Sequence, residues 1–404
     1  EAADSTTVRE SLDLKRLASS QLLLSGRVDE GMKLLRTILK PLGLSIPRNP
    51  RLALFQLAWR RSRIRLRGVR FRPREESRAS ADLLSRIDVR WSAAVGLSMI
   101  DPFQGAYFQA QELLLALKAG EPYRVARALA MEAAHEATPG RSASAEVDRL
   151  TAVAESLAER IDSPHARGLV DLARGAGALL MGEWKRAKGS FQQAESQFRE
   201  RCVGATWELD TVHILSLWAM LSMGEMAAVK GRYEDLQRQA RDRGDRYAAS
   251  TLATIFQASI QLAADAPEDV DEWIAAADRA RPRSTGGLTV QHVSIIRSRV
   301  HLGLYQGKTD DAWSGIEEIW SDFARSTLSR IQMIRVQMLE LHARAALAAA
   351  ERSSTPEPYL RVVENHVRRL DRERPCWCEG HAHYLRAGLA ASRKDAAAAL
   401  LQLN

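Results

Sequence analysis

Cysteine is scarce in this sequence, with three residues among 404. So few thiols cannot form the disulfide framework on which small secreted domains depend, which excludes that class of protein. Long apolar runs are absent too, and none approaches the ~18–20 residues that a membrane-spanning helix needs. The opening residues EAADSTTVRE lack the basic and apolar segments of a secretory signal. We therefore predict a cytoplasmic protein without a membrane span.

Catalytic motifs are also missing. The sequence has no GxxxxGK[ST] phosphate loop, no HRD or DFG motif of a protein kinase and no GxSxG nucleophile elbow. His135 and Glu136 are adjacent, but the second histidine of a HExxH zinc helix does not follow. We therefore predict that the chain is not an enzyme and that it has no catalytic, cofactor-binding or metal-ligating residues.

Helix-forming residues dominate the composition. Leu, Ala, Arg and Glu are prominent whereas β-branched residues are sparse, a mixture that favours helix over strand. A chain of 404 residues is long for one compact domain, and a regular array reaches this length without a single large core. The composition therefore predicts an all-α protein, and the length suggests a repeat array.

A helical hairpin is predicted by the string ARGAGALLMGEWKRAKGSFQQAESQF. Gly182 is expected to end the first helix, because glycine accepts the left-handed conformation that often follows a helix. Trp184 then begins a second helix, on which Ala187, Phe191 and Ala194 share one face at spacings of four and three.

The hairpin pattern recurs along the chain at nearly constant spacing. In the copy that turns at Gly307, Ala312 begins the inner face of the second helix. We predict a right-handed α-solenoid of helical hairpins with a period of about 42 residues, forming one array over residues 1–404. The N-terminal hairpins occupy residues 1–74, and the regular repeats occupy residues 75–404. The turns are predicted at or near Gly26, Gly140, Gly182, Gly224, Asp265, Gly307, Glu351 and Lys394.

The hairpin resembles a tetratricopeptide repeat. Gly175 matches the small residue in the first helix of that repeat. The turn glycine, the aromatic residue and the apolar positions of the second helix are matched by Gly182, Trp184, Ala187, Phe191 and Ala194. The period of this chain is longer than the ~34 residues usual for the family, and longer helices would accommodate the difference.

Four strings resemble the C-terminal helical region of large bacterial signalling proteins: GRVDEGMKLLRTIL, RIDVRWSAAVGLSMID, LLLALKAGEPYRVARALAMEAA and FRERCVGATWELDT. Proteins of that group join a serine/threonine kinase to an AAA/STAND-type ATPase module and end in such an array. The resemblance implies a non-catalytic interaction and sensor module that regulates the upstream kinase and ATPase. It also implies that a protein or peptide binds on the concave face formed by the first helices. Because the chain lacks a starting Met, we expect it to be a piece of a larger protein.

Arginine is concentrated in residues 51–74, which hold nine arginines and no acid. Residues 1–100 contain 20 Lys and Arg against 10 Asp and Glu, so the N-terminal quarter carries the net positive charge. Three aromatic residues, Phe55, Trp59 and Phe71, are interleaved with the arginines. A guanidinium is a planar fork that suits phosphate or carboxylate, so these side chains are candidates for binding an anionic partner. The dense part of the segment consists of Arg60, Arg61, Arg63, Arg65, Arg67, Arg70, Arg72 and Arg74.

Two interpretations of this segment remain open. In the first, it is an electrostatic surface for nucleic acid, lipid head groups or an acidic protein, and a nucleic-acid-binding regulatory solenoid is the alternative function. In the second, it is a solvated helix face whose arginine stems cover neighbouring residues. The second interpretation requires the apolar residues to pack inward, namely Leu52, Phe55, Leu57, Trp59, Ile64 and Leu66.

The stretch CWCEGHAH contains four potential metal ligands, and the run YLRAGLAAS that follows it is strongly helical. At ~100° per residue, Cys376 and His383 share one side of a helix, whereas Cys378 and His381 point to nearly the opposite side. One helix therefore cannot direct all four side chains to a tetrahedral metal. We predict the buried start of a helix rather than a zinc site, and a role beyond packing stays open.

Single polar residues give weaker signals. Asp101 precedes Pro102, which predicts a helix N-cap, with a groove-lining carboxylate as the alternative. The remaining histidines occur singly at helical positions, and we interpret them as packed, hydrogen-bonded residues rather than ligands. They are His213, His292, His301, His342 and His366.

Overall fold

The computed structural model describes residues 8–24, 27–47, 50–98, 101–280, 288–373 and 376–404. Within these ranges every long regular element is a helix and none is a strand. The prediction of an all-α protein is therefore confirmed.

The helices are numbered in chain order. The first ten are α1 (Val8–Leu24), α2 (Val28–Leu39), α3 (Pro50–Arg67), α4 (Ala81–Ser98), α5 (Pro102–Ala119), α6 (Pro122–Glu136), α7 (Ser144–Arg160), α8 (Pro164–Leu180), α9 (Trp184–Arg201) and α10 (Thr206–Ser222). They are followed by α11 (Met226–Asp242), α12 (Arg246–Leu252), α13 (Ala258–Ala263), α14 (Pro267–Ala280), α15 (Val290–Tyr305), α16 (Thr309–Arg325), α17 (Gln332–Arg352), α18 (Glu357–Leu370), α19 (Cys376–Ser392) and α20 (Ala396–Leu403). A π-helical turn, Ala253–Gln257, joins α12 to α13.

The chain divides into two compact units. The first unit comprises Glu1–Ala137, Ala143–Leu179 and Trp184–Ser250. The second comprises Thr138–Ser142, Leu180–Glu183 and Thr251–Asn404.

Several predicted turn residues adopt the left-handed backbone conformation. The glycines among them are Gly140, Gly182, Gly224 and Gly307, with φ of +80°, +80°, +74° and +70°. Asp265 and Lys394 take the same conformation without being glycine, with φ of +57° and +63°.

The turn predicted near Glu351 corresponds to the short connection between α17 and α18. Glu351 does not lie in a turn, because α17 continues to Arg352 and α18 begins at Glu357. Ser353 is extended and Pro356 precedes α18, so a proline-led helix start replaces the glycine turn here. Gly26 lies outside the described residues.

The predicted inner face of α9 is buried. Ala187, Phe191 and Ala194 are fully inaccessible to solvent. A Cβ added at Gly175, on α8, would lie 2.4 Å from Cε1 of Phe191, so the ring packs directly on the glycine backbone. With Phe191 in this position on α9, there is no room for a side chain at Gly175 of α8.

The hairpin of α15 and α16 repeats this close approach. A Cβ added at Gly303 would lie 3.1 Å from the Cβ of Ala312, which is fully buried. Small residues on both helices allow them to pack closely here.

The extended segment after α3 is held against the end of α5. The backbone N–H of Arg74 donates to the carbonyl of Gly120 at 2.8 Å. Gly120 has φ of +78°, and a Cβ there would lie 2.2 Å from the carbonyl oxygen of Arg72. Only glycine allows both the backbone conformation and this contact. Gly120 thereby positions the arginines that follow α3.

Candidate anion-binding cleft

The arginines of α3 lie on two different faces. Arg60, Arg63 and Arg67 follow one another at spacings of three and four and share one face, whereas Arg61 and Arg65 share another. The buried stripe of the helix, which includes Leu57 and Ile64, lies between these faces.

The face with Arg60, Arg63 and Arg67 lines a cleft of about 830 Å³, which lies between α3, the extended segment and helices α4 and α5. We call this cavity the arginine cleft. No carboxylate of the described residues lines it, and its apolar wall includes Phe71, Leu114 and Leu115. Its cationic residues are Arg60, Arg63, Arg67, Arg70, Arg72, Arg74, Arg90 and Lys118. Six of the eight arginines predicted from the sequence are therefore brought together.

Few protein groups satisfy these guanidinium groups. Arg67 donates to the carbonyls of Arg70 at 3.2 Å and Leu117 at 3.4 Å. Arg60 lies over the ring of Tyr107, 4.5 Å from its centroid. The side chains of Arg63, Arg70, Arg72 and Arg74 make no hydrogen bond or ion pair with any described residue. Four cationic side chains in one cleft are therefore available to a ligand.

Arg90, on α4, forms part of the wall of the cleft. Its side chain is buried, and one guanidinium nitrogen donates to the carbonyl of Arg86 at 2.8 Å. Its Nε has no hydrogen-bond partner among the described residues. The pKa of Arg90 is lowered to about 10, mainly by burial and to a lesser extent by the positive charges of Arg86 and Arg60. A bound anion would act against this lowering, because an opposite charge favours the charged guanidinium.

Arg61 and Arg65 face α6 and not the cleft. The Nε–H of Arg61 donates to Glu132 at 2.9 Å, and the same nitrogen lies 3.1 Å from a carboxylate oxygen of Glu136. Arg65 donates to Glu136 at 3.2 Å. Both glutamates are buried. Burial raises the pKa of Glu132 to about 7, although Arg61 acts against this rise. These two arginines serve as counter-charges within the fold.

A strip of large apolar side chains on α3 is exposed. At ~100° per residue its members fall within an arc of about 60°, next to the face of Arg60, Arg63 and Arg67. The interpretation in which six apolar residues of α3 pack inward is wrong for four of them, and only Leu57 and Ile64 are buried. We call the four exposed residues the apolar strip: Leu52, Phe55, Trp59 and Leu66, with 49%, 69%, 61% and 89% of their surface exposed. A different stripe of α3, which includes Leu57 and Ile64, packs into the core, so the apolar strip faces away from it.

The CWCEGHAH stretch forms the start of α19, as predicted, but it is buried only in part, since Glu379, Gly380 and His383 are exposed. Cys378 is buried, and His381 meets Trp377 edge to face. On another side of the helix, Nδ1 of His383 lies 3.0 Å from the side-chain oxygen of Gln402. Nothing is described of the Cys376 side chain. In the described part of the chain, no three Cys, His, Asp or Glu residues are grouped as a metal site would require.

The predicted cap at Asp101 is confirmed. Its carboxylate accepts hydrogen bonds from the backbone N–H groups of Phe103 at 2.9 Å and Gln104 at 3.3 Å, at the start of α5. Burial raises the pKa of Asp101, and the two N–H donors act against that rise.

Two of the histidines interpreted as single residues lie together. Nε2 of His366 is 2.9 Å from Nδ1 of His342, and Trp320 packs against both rings. Burial lowers the pKa of His342 to about 3 and that of His366 to about 4. Both imidazoles are therefore neutral at pH 7.

Sequence reasoning missed Arg90 and Lys118 as parts of the cleft. Neither belongs to the arginine-rich segment, and only the packing of α4 and α5 against α3 places them there. The division of α3 into two arginine faces, by contrast, follows from the spacing of its residues and could have been found from the sequence.

No helix in the described ranges combines the length and the apolar character needed to cross a membrane. A comparison with protein-family models gives no match, and a comparison with curated proteins finds no significantly similar relative.

Proposed function

We propose that this chain is a non-catalytic interaction module that binds an acidic, partly apolar protein segment through the arginine cleft and the apolar strip. One observation carries the proposal: eight cationic side chains and, within the described part of the chain, no carboxylate line a cleft beside a row of exposed apolar side chains. Neither feature stabilises the fold, since unpaired like charges repel and exposed apolar surface gains nothing from folding.

The chemistry of the site favours a protein ligand. Guanidinium groups bind carboxylates with two parallel hydrogen bonds, which gives orientation as well as affinity. Trp, Phe and Arg are enriched in protein interfaces, and Trp and Arg are also enriched among their energetic hot spots. A ligand with anionic groups alone would use the cleft and leave Trp59 and Phe55 in water. A segment that alternates acidic and apolar side chains would use both surfaces.

The wider context of the module is part of the same proposal. The left-handed turns at Gly140, Gly182, Gly224, Asp265 and Gly307 recur at the predicted interval, which supports a right-handed α-solenoid with a period of about 42 residues. Resemblance to kinase–ATPase signalling proteins supports a sensor role in the cytoplasm that regulates those enzymes. The acidic segment would then belong to them or to a partner protein bound on the concave face of the array.

Fluorescence anisotropy with labelled peptides tests the proposal. The probes are an amphipathic helical peptide of Asp, Glu, Leu and Phe, and a polyglutamate of equal charge. We expect the amphipathic peptide to bind more tightly. The double substitution Arg63→Gln with Arg67→Gln should weaken its binding about tenfold or more, because two charge-assisted contacts are lost.

Arg160→Gln with Arg201→Gln is the matched control. Both arginines are exposed and lie outside the cleft, so this variant has the same net charge as the test variant. If both variants lost the same affinity for the peptide, the loss would be due to the lower net charge. Specific binding in the arginine cleft would then be refuted. Trp59→Ser should weaken the amphipathic peptide and leave polyglutamate binding unchanged.

Single-stranded nucleic acid is the second candidate ligand. Phe55, Trp59 and Phe71 lie close to the arginines in sequence, and stacking on aromatic rings within a basic groove is how many proteins bind single strands. An oligothymidine that binds more tightly than the amphipathic peptide, with strong salt dependence that falls in the Arg63 and Arg67 variant, would favour this function.

A further inference from the structure

A small pocket of about 290 Å³ lies within the second unit, distant in sequence from the arginine cleft. Residues of the π-helical turn, α13, α15 and α17 line it. A π-helical turn is costly in a regular helix and is frequently found at functional sites. The pocket is at the lower end of the size range for small-molecule sites, so it suits a small ligand and not a peptide.

Two arginines line this pocket, and only one of them has a carboxylate partner among the described residues. Arg344 donates to the carboxylate of Glu340 at 3.3 Å, and Glu340 also accepts a hydrogen bond from the hydroxyl of Tyr384. Arg297 is half-buried and makes no hydrogen bond or ion pair with any described residue. Burial lowers the pKa of Arg297, although Glu340 acts in the opposite direction. Glu340 pairs with Arg344, and the carboxylate of Asp265 accepts a hydrogen bond from the hydroxyl of Tyr305, which lines the pocket. Arg297 is thus the guanidinium of this pocket that has no carboxylate partner among the described residues.

The other polar groups of the pocket are neutral. Burial lowers the pKa of His301 to about 3, with Arg297 and Arg344 contributing, so its imidazole carries no charge at pH 7. The hydroxyl of Ser298 donates to the carbonyl of Ser294 at 3.0 Å, which leaves its oxygen able to accept a hydrogen bond. The site therefore combines one guanidinium that lacks a described carboxylate partner with hydrogen-bonding groups.

The remaining lining is apolar. Ile255, on the π-helical turn, and Leu262, on α13, form part of the wall. A bare inorganic ion would not cover these side chains, whereas a short hydrocarbon body would bury them. Because a single guanidinium lacks a described carboxylate partner, a monoanion matches the pocket better than a dianion.

We propose that this pocket binds a small organic monocarboxylate with a short apolar body. The carboxylate accepts two hydrogen bonds from the guanidinium of Arg297, next to His301. The apolar body lies against Ile255 and Leu262. The site differs from the arginine cleft in size, location and ligand, so it does not depend on the proposed function of the cleft.

Isothermal titration calorimetry with hexanoate tests this site, with hexanamide as the neutral counterpart of the same shape. We expect hexanoate to bind and hexanamide to bind about tenfold more weakly or not at all, because the charge-assisted contact is lost. Arg297→Gln should reduce hexanoate affinity about tenfold or more, whereas Arg297→Lys should keep part of it.

The controls separate this pocket from general charge effects. Arg361→Gln removes an exposed arginine of α18 in the same unit and should bind hexanoate like the unsubstituted protein. The Arg63→Gln and Arg67→Gln variant should also retain binding, because those arginines line the other site. The proposal is overturned if straight-chain carboxylates from acetate to octanoate fail to bind, if hexanamide binds equally well, or if Arg297→Gln has no effect. Tighter binding of inorganic phosphate than of hexanoate would also overturn it.

Discussion

The two arginine faces of α3 place the same residue type in opposite environments. On one face, Arg61 meets the buried carboxylates of Glu132 and Glu136. On the other, Arg63 lies in a cleft whose described lining contains no carboxylate. In the first arrangement each charge depends on its partner, because removing either one leaves the other buried without compensation. In the second arrangement the arginines have no carboxylate partner in the described part of the chain, and for this reason we assign them to ligand binding.

Buried arginines elsewhere in the first unit follow the pattern of Arg61. Arg127 donates to Glu112 at 2.8 Å and to Asp88 at 3.0 Å, and Arg124 donates to Asp88 at 2.8 Å. Arg127 also lies over the ring of Trp91, 4.6 Å from its centroid. In this unit, therefore, the buried arginines outside the arginine cleft contact carboxylates. The arginines of the cleft contact none among the described residues.

The largest expected effect separates Arg61 from Arg63. At pH 8, Arg61→Met should lower the free energy of unfolding by about 3–5 kcal/mol, because it removes the cation that contacts buried Glu132 and leaves Glu136 with only the exposed Arg65. Arg63→Met should change it by less than about 0.5 kcal/mol. Urea denaturation measures both values. Equal stability of the two variants would remove the distinction between the faces.

The pH dependence of the same contact gives the next effect. The folded-state pKa of Glu132, about 7, lies above its ordinary value of 4.5. Its contribution to stability is therefore complete below pH 4.5 and is lost as the pH rises through 7. Relative to Glu132→Gln, the native protein should lose about 1.4 kcal/mol of stability per pH unit across this window. Urea denaturation at pH 5 and pH 8 tests the sign, and a relative gain at pH 8 would contradict it.

A glycine pair tests how the cleft is held in place. Gly120→Ala and Gly224→Ala both force alanine into the left-handed region, at a cost of about 1–2 kcal/mol. Only at Gly120 does the new Cβ also meet the backbone of Arg72, because nothing lies within 4 Å of the corresponding position at Gly224. We expect Gly120→Ala to be the less stable variant in thermal unfolding, and only this variant to lose affinity for the amphipathic peptide. Unchanged peptide binding would show that the extended segment does not depend on this contact.

The smallest effect belongs to the exposed arginine that faces α6. The side chain of Arg65 is 58% exposed, and Arg61 still neutralises its partner Glu136. Arg65→Met should therefore cost less than about 1 kcal/mol, which urea denaturation can compare directly with Arg61→Met. A loss as large as that of Arg61→Met would mean that the carboxylate depends on both cations.

Local features were predictable because their causes lie within a few residues. The helical composition, the cap at Asp101 and the helix that begins at Cys376 all depend on neighbours in sequence. The exposed apolar strip was not predictable in this way. Its residues are apolar and helical, yet Leu57 and Ile64 already provide the packing face of α3.

The candidate sites depended more on contacts between distant residues. The arginine-rich segment marked the cleft, but Arg90 and Lys118 entered it only through the packing of other helices. The pocket around Arg297 had no sequence signal, because its residues are scattered over four helical elements. His342 and His366, 24 residues apart, met for the same reason.

The amino-acid sequence alone determined that this protein is helical, where several of its helices begin and end, and that its positive charge lies near the N-terminus. These properties follow from backbone conformation, capping and charge, which act locally. Only the tertiary structure decided which arginines are neutralised and which remain available. The pairing of Arg61 with Glu132 joins residues 71 positions apart, and a contact of that kind exists only once the helices have packed.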